Sequence, residues 1–181
     1  MKIRHFGSSV RWFGVAASGL ILAASLQAQA PTWKTYSFPA DGFSASYPSE
    51  PEVQKRDIPT EAGSFQLRSY IAQVAPVALF VGVCDYGSTM AGKDPNESLQ
   101  VAENGALSKS NSHLTREKKI TLGVYPGVEF ESESDAAHFY ARIYLVGTTL
   151  YQTLVVEPLG KPFPDTLHFL DSFQLIARVH E

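Results

Sequence analysis

The chain has one cysteine, Cys84, among 181 residues. A single thiol closes no internal disulfide, so packing and hydrogen bonds must hold the fold. Basic charge is scarce as well: 15 Lys and Arg stand against 18 Asp and Glu, a formal charge of −3. That balance works against nucleic acid and anionic membrane surfaces as partners. After residue 30 there is no further long apolar run, and a bilayer span needs about 20 such residues. Spaced catalytic and metal-binding patterns are missing too. His113, His138, His168 and His180 show neither H-x-x-x-H nor H-E-x-x-H spacing, so zinc is not expected. No serine lies in a G-x-S-x-G context. Gly82, Gly87 and Gly92 do not make a phosphate loop. These residues point to no catalytic residue, no metal and no cofactor.

What is present begins with a leader. Lys2, Arg4 and Arg11 form a basic start, and residues 12–26 form an apolar run of signal-peptide length. Ala28-Gln29-Ala30 offers a cleavage site, with cutting after Ala28 or after Ala30. Retention of residues 1–30 as a membrane anchor is the alternative. Beyond them, residues 31–181 have the length of one ordinary domain able to bury its own core. Without the three leader cations, 12 Lys and Arg face 18 Asp and Glu, a formal charge of −6.

Along residues 31–181 the pattern alternates strands with two helices. Strands are expected over residues 32–38, 43–47, 53–58, 65–74 and 77–85. Asp94-Pro95-Asn96-Glu97 supplies an N-cap, a proline at the first helical position and an acid near it, opening a helix to about Lys109. Its stripe is Leu99, Ala102, Ala106 and Leu107. Gly105 inside it costs about 1 kcal/mol relative to alanine. Extended segments follow over residues 114–122, 128–134, 138–146 and 149–157. A short helix over 165–172 and a strand over 173–176 end the chain. Gly147 first in a two-residue loop fits a type II′ turn, because that position needs a positive φ. Val146 then pairs with Thr149, Leu145 with Leu150 and Tyr144 with Tyr151. Val128 falls opposite Ile143, Phe130 opposite Ala141 and Glu129 opposite Arg142.

The hairpin decides the fold class. One face carries Phe139, Ala141, Ile143, Leu145, Leu150, Leu154 and Val156. The other carries Tyr140, Tyr144, Val146, Tyr151 and Val155, broken by Arg142 and Thr153. A sheet wet on one side alternates apolar with polar, whereas this one needs cover on both sides. The expected class is α+β, an antiparallel sheet with helices on both faces.

Four segments carry a family resemblance: G-F-S-A-S-Y-P at 42–48, Y-P-G-V-E-F at 125–130, A-R-I-Y-L-V-G-T-T-L-Y-Q at 141–152 and F-L-D-S-F-Q-L at 169–175. Together they resemble small exported bacterial proteins of the PsbP/Mog1-like fold, an α/β/α sandwich, over roughly residues 33–176. Members of that class act mainly as accessory or binding proteins, among them a photosystem II extrinsic subunit, a small-GTPase binder and envelope proteins. No functional motif matches residue by residue, so the resemblance implies a fold and a style of function but no site.

Three clusters remain to be weighed. Glu129, Glu131, Glu133 and Asp135 lie too far apart along a strand to converge on calcium, and they read as a solvated face with Glu129 paired to Arg142. Tyr140, Tyr144 and Tyr151 are either covered by a helix or form an interaction surface, since tyrosine is enriched in interfaces. Cys84 lies in an apolar strand, where a buried side chain is the simpler reading. The function expected is that of a non-enzymatic exported accessory or binding protein of the cell envelope, periplasmic or extracellular. Its partner is an envelope protein or a small ligand. The rivals are a cysteine-dependent hydrolase using Cys84 with a histidine brought near by folding, and a structural envelope protein held by an uncleaved N-terminal anchor.

Overall fold

Seven strands make one antiparallel sheet, in the order β3 (Glu52–Thr60), β4 (Gly63–Val74), β5 (Val77–Asp85), β9 (Thr149–Pro158), β8 (Ala137–Val146), β7 (Tyr125–Glu133) and β6 (His113–Leu122). A second sheet of three strands pairs β1 (Lys34–Phe38), β2 (Phe43–Tyr47) and β10 (Gln174–Leu175), with β2 in the middle. Helix α1 (Pro95–Ser110) links β5 to β6, and the short α2 (Thr166–Asp171) lies between β9 and β10 in the chain. The computed structural model describes residues 32–60 and 63–179. The leader, its cleavage site and the anchor alternative lie outside those residues.

Local chemistry explains the boundaries. The Asp94 side chain accepts hydrogen bonds from the backbone N–H of Asn96 at 2.7 Å and of Glu97 at 3.1 Å, which caps α1. Asn111, at φ 48, ends the same helix in the left-handed conformation. It is the sole non-glycine with positive φ among the described residues. Gly147, at φ 61, makes the β8–β9 turn, as the hairpin requires. The register runs Leu145 to Leu150 and Tyr144 to Tyr151, and Glu129 meets Arg142 across β7 and β8.

The two faces are buried differently. On one, Val128, Phe130, Ala141, Ile143, Leu145 and Leu150 pack with Leu99 of α1. On the other, Tyr70, Leu79, Val81, Val83, Tyr144, Tyr151 and Val155 pack against Phe43, Ala45 and Tyr47 of β2 and Phe169 and Leu170 of α2. The two faces are therefore covered by unequal means. One face carries α1, while the other is covered largely by the three-stranded sheet with α2 beside it. The reason is that β1, β2 and β10 pair with one another instead of extending the large sheet.

A buried polar hub holds that second layer down. Asp41, 2% exposed, sits in the turn between β1 and β2. Its carboxylate accepts the Tyr70 hydroxyl and pairs with the Arg68 guanidinium, both from β4. Its carbonyl accepts the Tyr151 hydroxyl at 2.7 Å, and Arg178 donates to Tyr151 at 3.0 Å and to Thr149 at 2.9 Å. Next to it Gly42, at φ 72, has no room for a side chain, since a Cβ would come within 2.6 Å of Arg178 Cγ.

Two stability measurements follow. Removing one partner of a buried charge pair costs about 3 kcal/mol, whereas a single hydroxyl hydrogen bond is worth about 1 kcal/mol. Urea unfolding should therefore show Asp41→Ala far less stable than Tyr151→Phe; equal losses would mean that Asp41 is no hub. Glu103 of α1 supplies the second. It is 5% exposed, and burial, then the neighbouring Glu117, push its carboxyl above the ordinary glutamate range. The folded state holds that proton to higher pH than the unfolded state, so stability falls as pH rises through the interval. Glu103→Gln should melt higher than wild type at neutral pH. The gap should close below about pH 4, where both states are protonated.

Candidate functional site

Helix α1 is too narrow for the face it lies on. It packs over β7 and β8 and leaves the β4–β5–β9 part of that face without a helix above it. Between its flank and the sheet lies a cleft of about 1050 Å³. The volume lies at the upper limit of the range of small-molecule sites.

The floor comes from alternate residues of neighbouring strands. Leu67 of β4, Gly82 and Cys84 of β5, Leu150 and Gln152 of β9 and Ile143 of β8 all point to this side. Gly82 matters through what lies over it, because a Cβ there would sit 2.8 Å from the Phe80 ring. The bare backbone lets that ring fold across the strand. Phe65 and Tyr86, with ring centroids 4.8 Å apart, line the cleft beside the β3–β4 hairpin.

The helix wall is made of small residues. Ser98, Ala102, Gly105 and Ala106 line the cleft together with Val101, which is 71% exposed. A Cβ built on Gly105 meets nothing within 4 Å. Larger residues here would have filled the gap. Charged groups border the cleft at both ends of α1, with Lys93, Asp94 and Glu97 at its start and Lys109 in its last turn.

Gln152 is the residue that sequence reasoning missed. Leu150, Leu154 and Val156 share its face of β9, so it is the polar break in an apolar row. Its side-chain amide makes no hydrogen bond among the described residues, although it is partly buried in the cleft floor. The signal was present in the hairpin as one polar side chain on an otherwise apolar face.

Cys84 is 3% exposed in the same floor. Burial pushes its thiol up from the ordinary range, against a smaller opposing effect of a hydrogen bond with Tyr86. Burial also pushes the Tyr86 hydroxyl up to about 12. A nucleophilic cysteine needs the opposite shift and a cationic or histidine neighbour. No histidine lines the cleft among the described residues.

The three tyrosines part company. Tyr144 is 5% exposed and Tyr151 2%. Phe173 stacks on Tyr144 with centroids 5.9 Å apart and planes 7° from parallel, and it lies 5.7 Å from Tyr151. Tyr144 also covers Gly127 across the β7–β8 pair, where a Cβ would come within 2.6 Å of its ring. These two rings are core, under the three-stranded sheet, and form no open patch. Tyr140 alone stays half-buried, 4.3 Å from the His138 ring.

Tyr140 lines a smaller cavity of about 340 Å³ with Glu129, Glu131 and Glu157. Those carboxylates are engaged. Glu129 pairs with Arg142 at 2.7 Å, Glu131 with Arg116 at 3.2 Å, and Glu157 accepts the Phe163 N–H at 2.8 Å. Arg142 reaches Asp171 of α2 as well, at 2.7 Å. Arg142 of β8 and Glu157 of β9 thus tie α2 and its loop to the sheet. No group of three or more metal-type ligands converges among the described residues.

No protein-family model and no curated protein matches the sequence. Among solved structures, the solution structure of cyanobacterial PsbP (CyanoP) from Synechocystis sp. PCC 6803 superposes with a TM-score of 0.52. The match covers 85% of this chain and 98% of that one, at 12% sequence identity. Identity so low speaks for the fold alone. The chain has a PsbP-like fold, as the four sequence segments implied.

Proposed function

We propose that this chain is a non-enzymatic accessory or binding protein of the bacterial cell envelope, built on a PsbP/Mog1-like sandwich. Residues 1–30 act as a Sec-type signal and deliver it to the periplasm or beyond. It binds its small ligand or envelope partner in the cleft between α1 and the sheet. The cleft itself carries this reading: a volume of about 1050 Å³ with an apolar floor and a wall of small residues is a site for holding something. Tyr144 and Tyr151 leave the candidate surface because they are buried. Among the described residues no helix is long and apolar enough to cross a membrane.

Cys84 favours binding over chemistry. Its thiol is shielded and its charged form disfavoured, so native protein should react slowly with iodoacetamide and quickly once unfolded. Saturable ligand binding should survive in Cys84→Ser, because holding a ligand needs no thiol chemistry. Fast alkylation of the native thiol would revive the hydrolase reading.

A neutral apolar dye tests the cleft directly. Protein recovered from the periplasmic fraction should bind Nile red saturably, at one dye per chain. Gly105→Trp places an indole where a Cβ now meets nothing, and it should abolish dye binding while the melting temperature stays within a few degrees. Unchanged binding by that variant, with its fold intact, would contradict the assignment.

A further inference from the structure

We propose that the ligand of this cleft is a single-chain amphiphile with an anionic head. Its apolar chain would lie along the floor beside α1, and its head would face Lys109. The inference rests on the binding reading above and names the class of ligand for it.

Three observations combine. The first is length, since the cleft is lined from Asp94 to Lys109. At 1.5 Å per residue that is about 22 Å of helix, a run that suits an extended chain better than a compact molecule. The second is the floor, where Leu67, Leu150 and Ile143 are apolar but the Gln152 amide has no hydrogen-bond partner among the described residues. An apolar track with one polar side chain in it fits an amphiphile better than a wholly polar molecule.

The third is the distribution of charge around the cleft. At the start of α1, Lys93 is balanced by Asp94 and Glu97, and Asp94 is already occupied by two backbone N–H groups. At the other end Lys109 has no acidic residue beside it in the cleft lining. The C-terminus of a helix carries about half a negative charge, so a full lysine charge leaves this end positive. The net negative charge of the chain opposes an anion only weakly, because salt screens charges separated by more than about 8 Å. An anionic head is therefore directed to Lys109.

Competition for bound Nile red tests the assignment, using palmitate, hexadecanol and an amphipathic peptide as competitors. Palmitate should displace the dye at about tenfold lower concentration than hexadecanol, the ratio a charge-assisted hydrogen bond supplies. Lys109→Gln should remove that preference and Lys109→Arg keep it. Both changes lie on an exposed position, where folding is not at stake. Equal potency of acid and alcohol would overturn the proposal, as would a preference untouched by Lys109→Gln. Displacement by the peptide but by neither lipid would overturn it too and give the cleft to a protein partner. In each of those cases dye binding survives, so the binding reading stands; only a failure of saturable dye binding brings that reading down.

Discussion

A seven-stranded sheet that is apolar on both faces must be covered twice, and the unit that does it spans only Pro31–Glu181. Everything else in the structure follows from how those two covers are made. The first is tight. Phe43, Ala45 and Tyr47 from β2 and Phe173 beside β10 fill the space over Tyr144, Tyr151 and Val155, and the main core residues there are almost fully buried. The second is partial. A single helix of 16 residues lies over β7 and β8 and leaves the other strands of that face to line a cleft. Apolar surface left facing a gap gains nothing from water, so the unfilled half is where a ligand has free energy to gain.

The tight cover depends on one turn. Asp41 is enclosed, yet it accepts hydrogen bonds from side chains of two sheet strands that are not neighbours, β4 and β9. Gly42 beside it lets Arg178 lie against the turn, and the Ile176 N–H donates to the Gly42 carbonyl at 2.9 Å. The beginning and the end of the domain are thereby joined over one small area. A buried carboxylate is tolerated only when paired and hydrogen-bonded, and here it is both. The arrangement fixes the three-stranded sheet in one position and leaves α1, on the far face, free of that constraint.

Much of this was legible in the residues. The β7–β8–β9 meander and its register follow from alternation, from Gly147 and from the Glu129–Arg142 pair. The caps of α1 follow from Asp94 and Pro95. The resemblance of four short segments named the fold. The second sheet was not legible, because β10 is two residues long and pairing between distant segments leaves no local pattern. The fate of the tyrosines was hidden for the same reason: nothing local says that Phe173 returns to stack on Tyr144. The cleft was written in negative form. Gly105 and its alanine neighbours look like a weak helix stripe until the sheet beneath them is known, and Gln152 looks like one polar residue among many. A gap between two elements belongs to their spacing, which no periodicity in either element encodes.

The α1 face holds the cleft, and the Asp41 face is the foundation of the fold. The sole thiol and the cleft lie on one side, and the aromatic packing around Phe43, Tyr151 and Phe173 on the other. Backbone amide shifts of the isotopically labelled protein, recorded as Nile red is added, test that division most directly. The account predicts shifts at Leu67, Gly82, Gln152 and Gly105, with Asp41, Phe43 and Tyr47 unmoved. Shifts centred on the three-stranded sheet, or none at all at saturating dye, would contradict it.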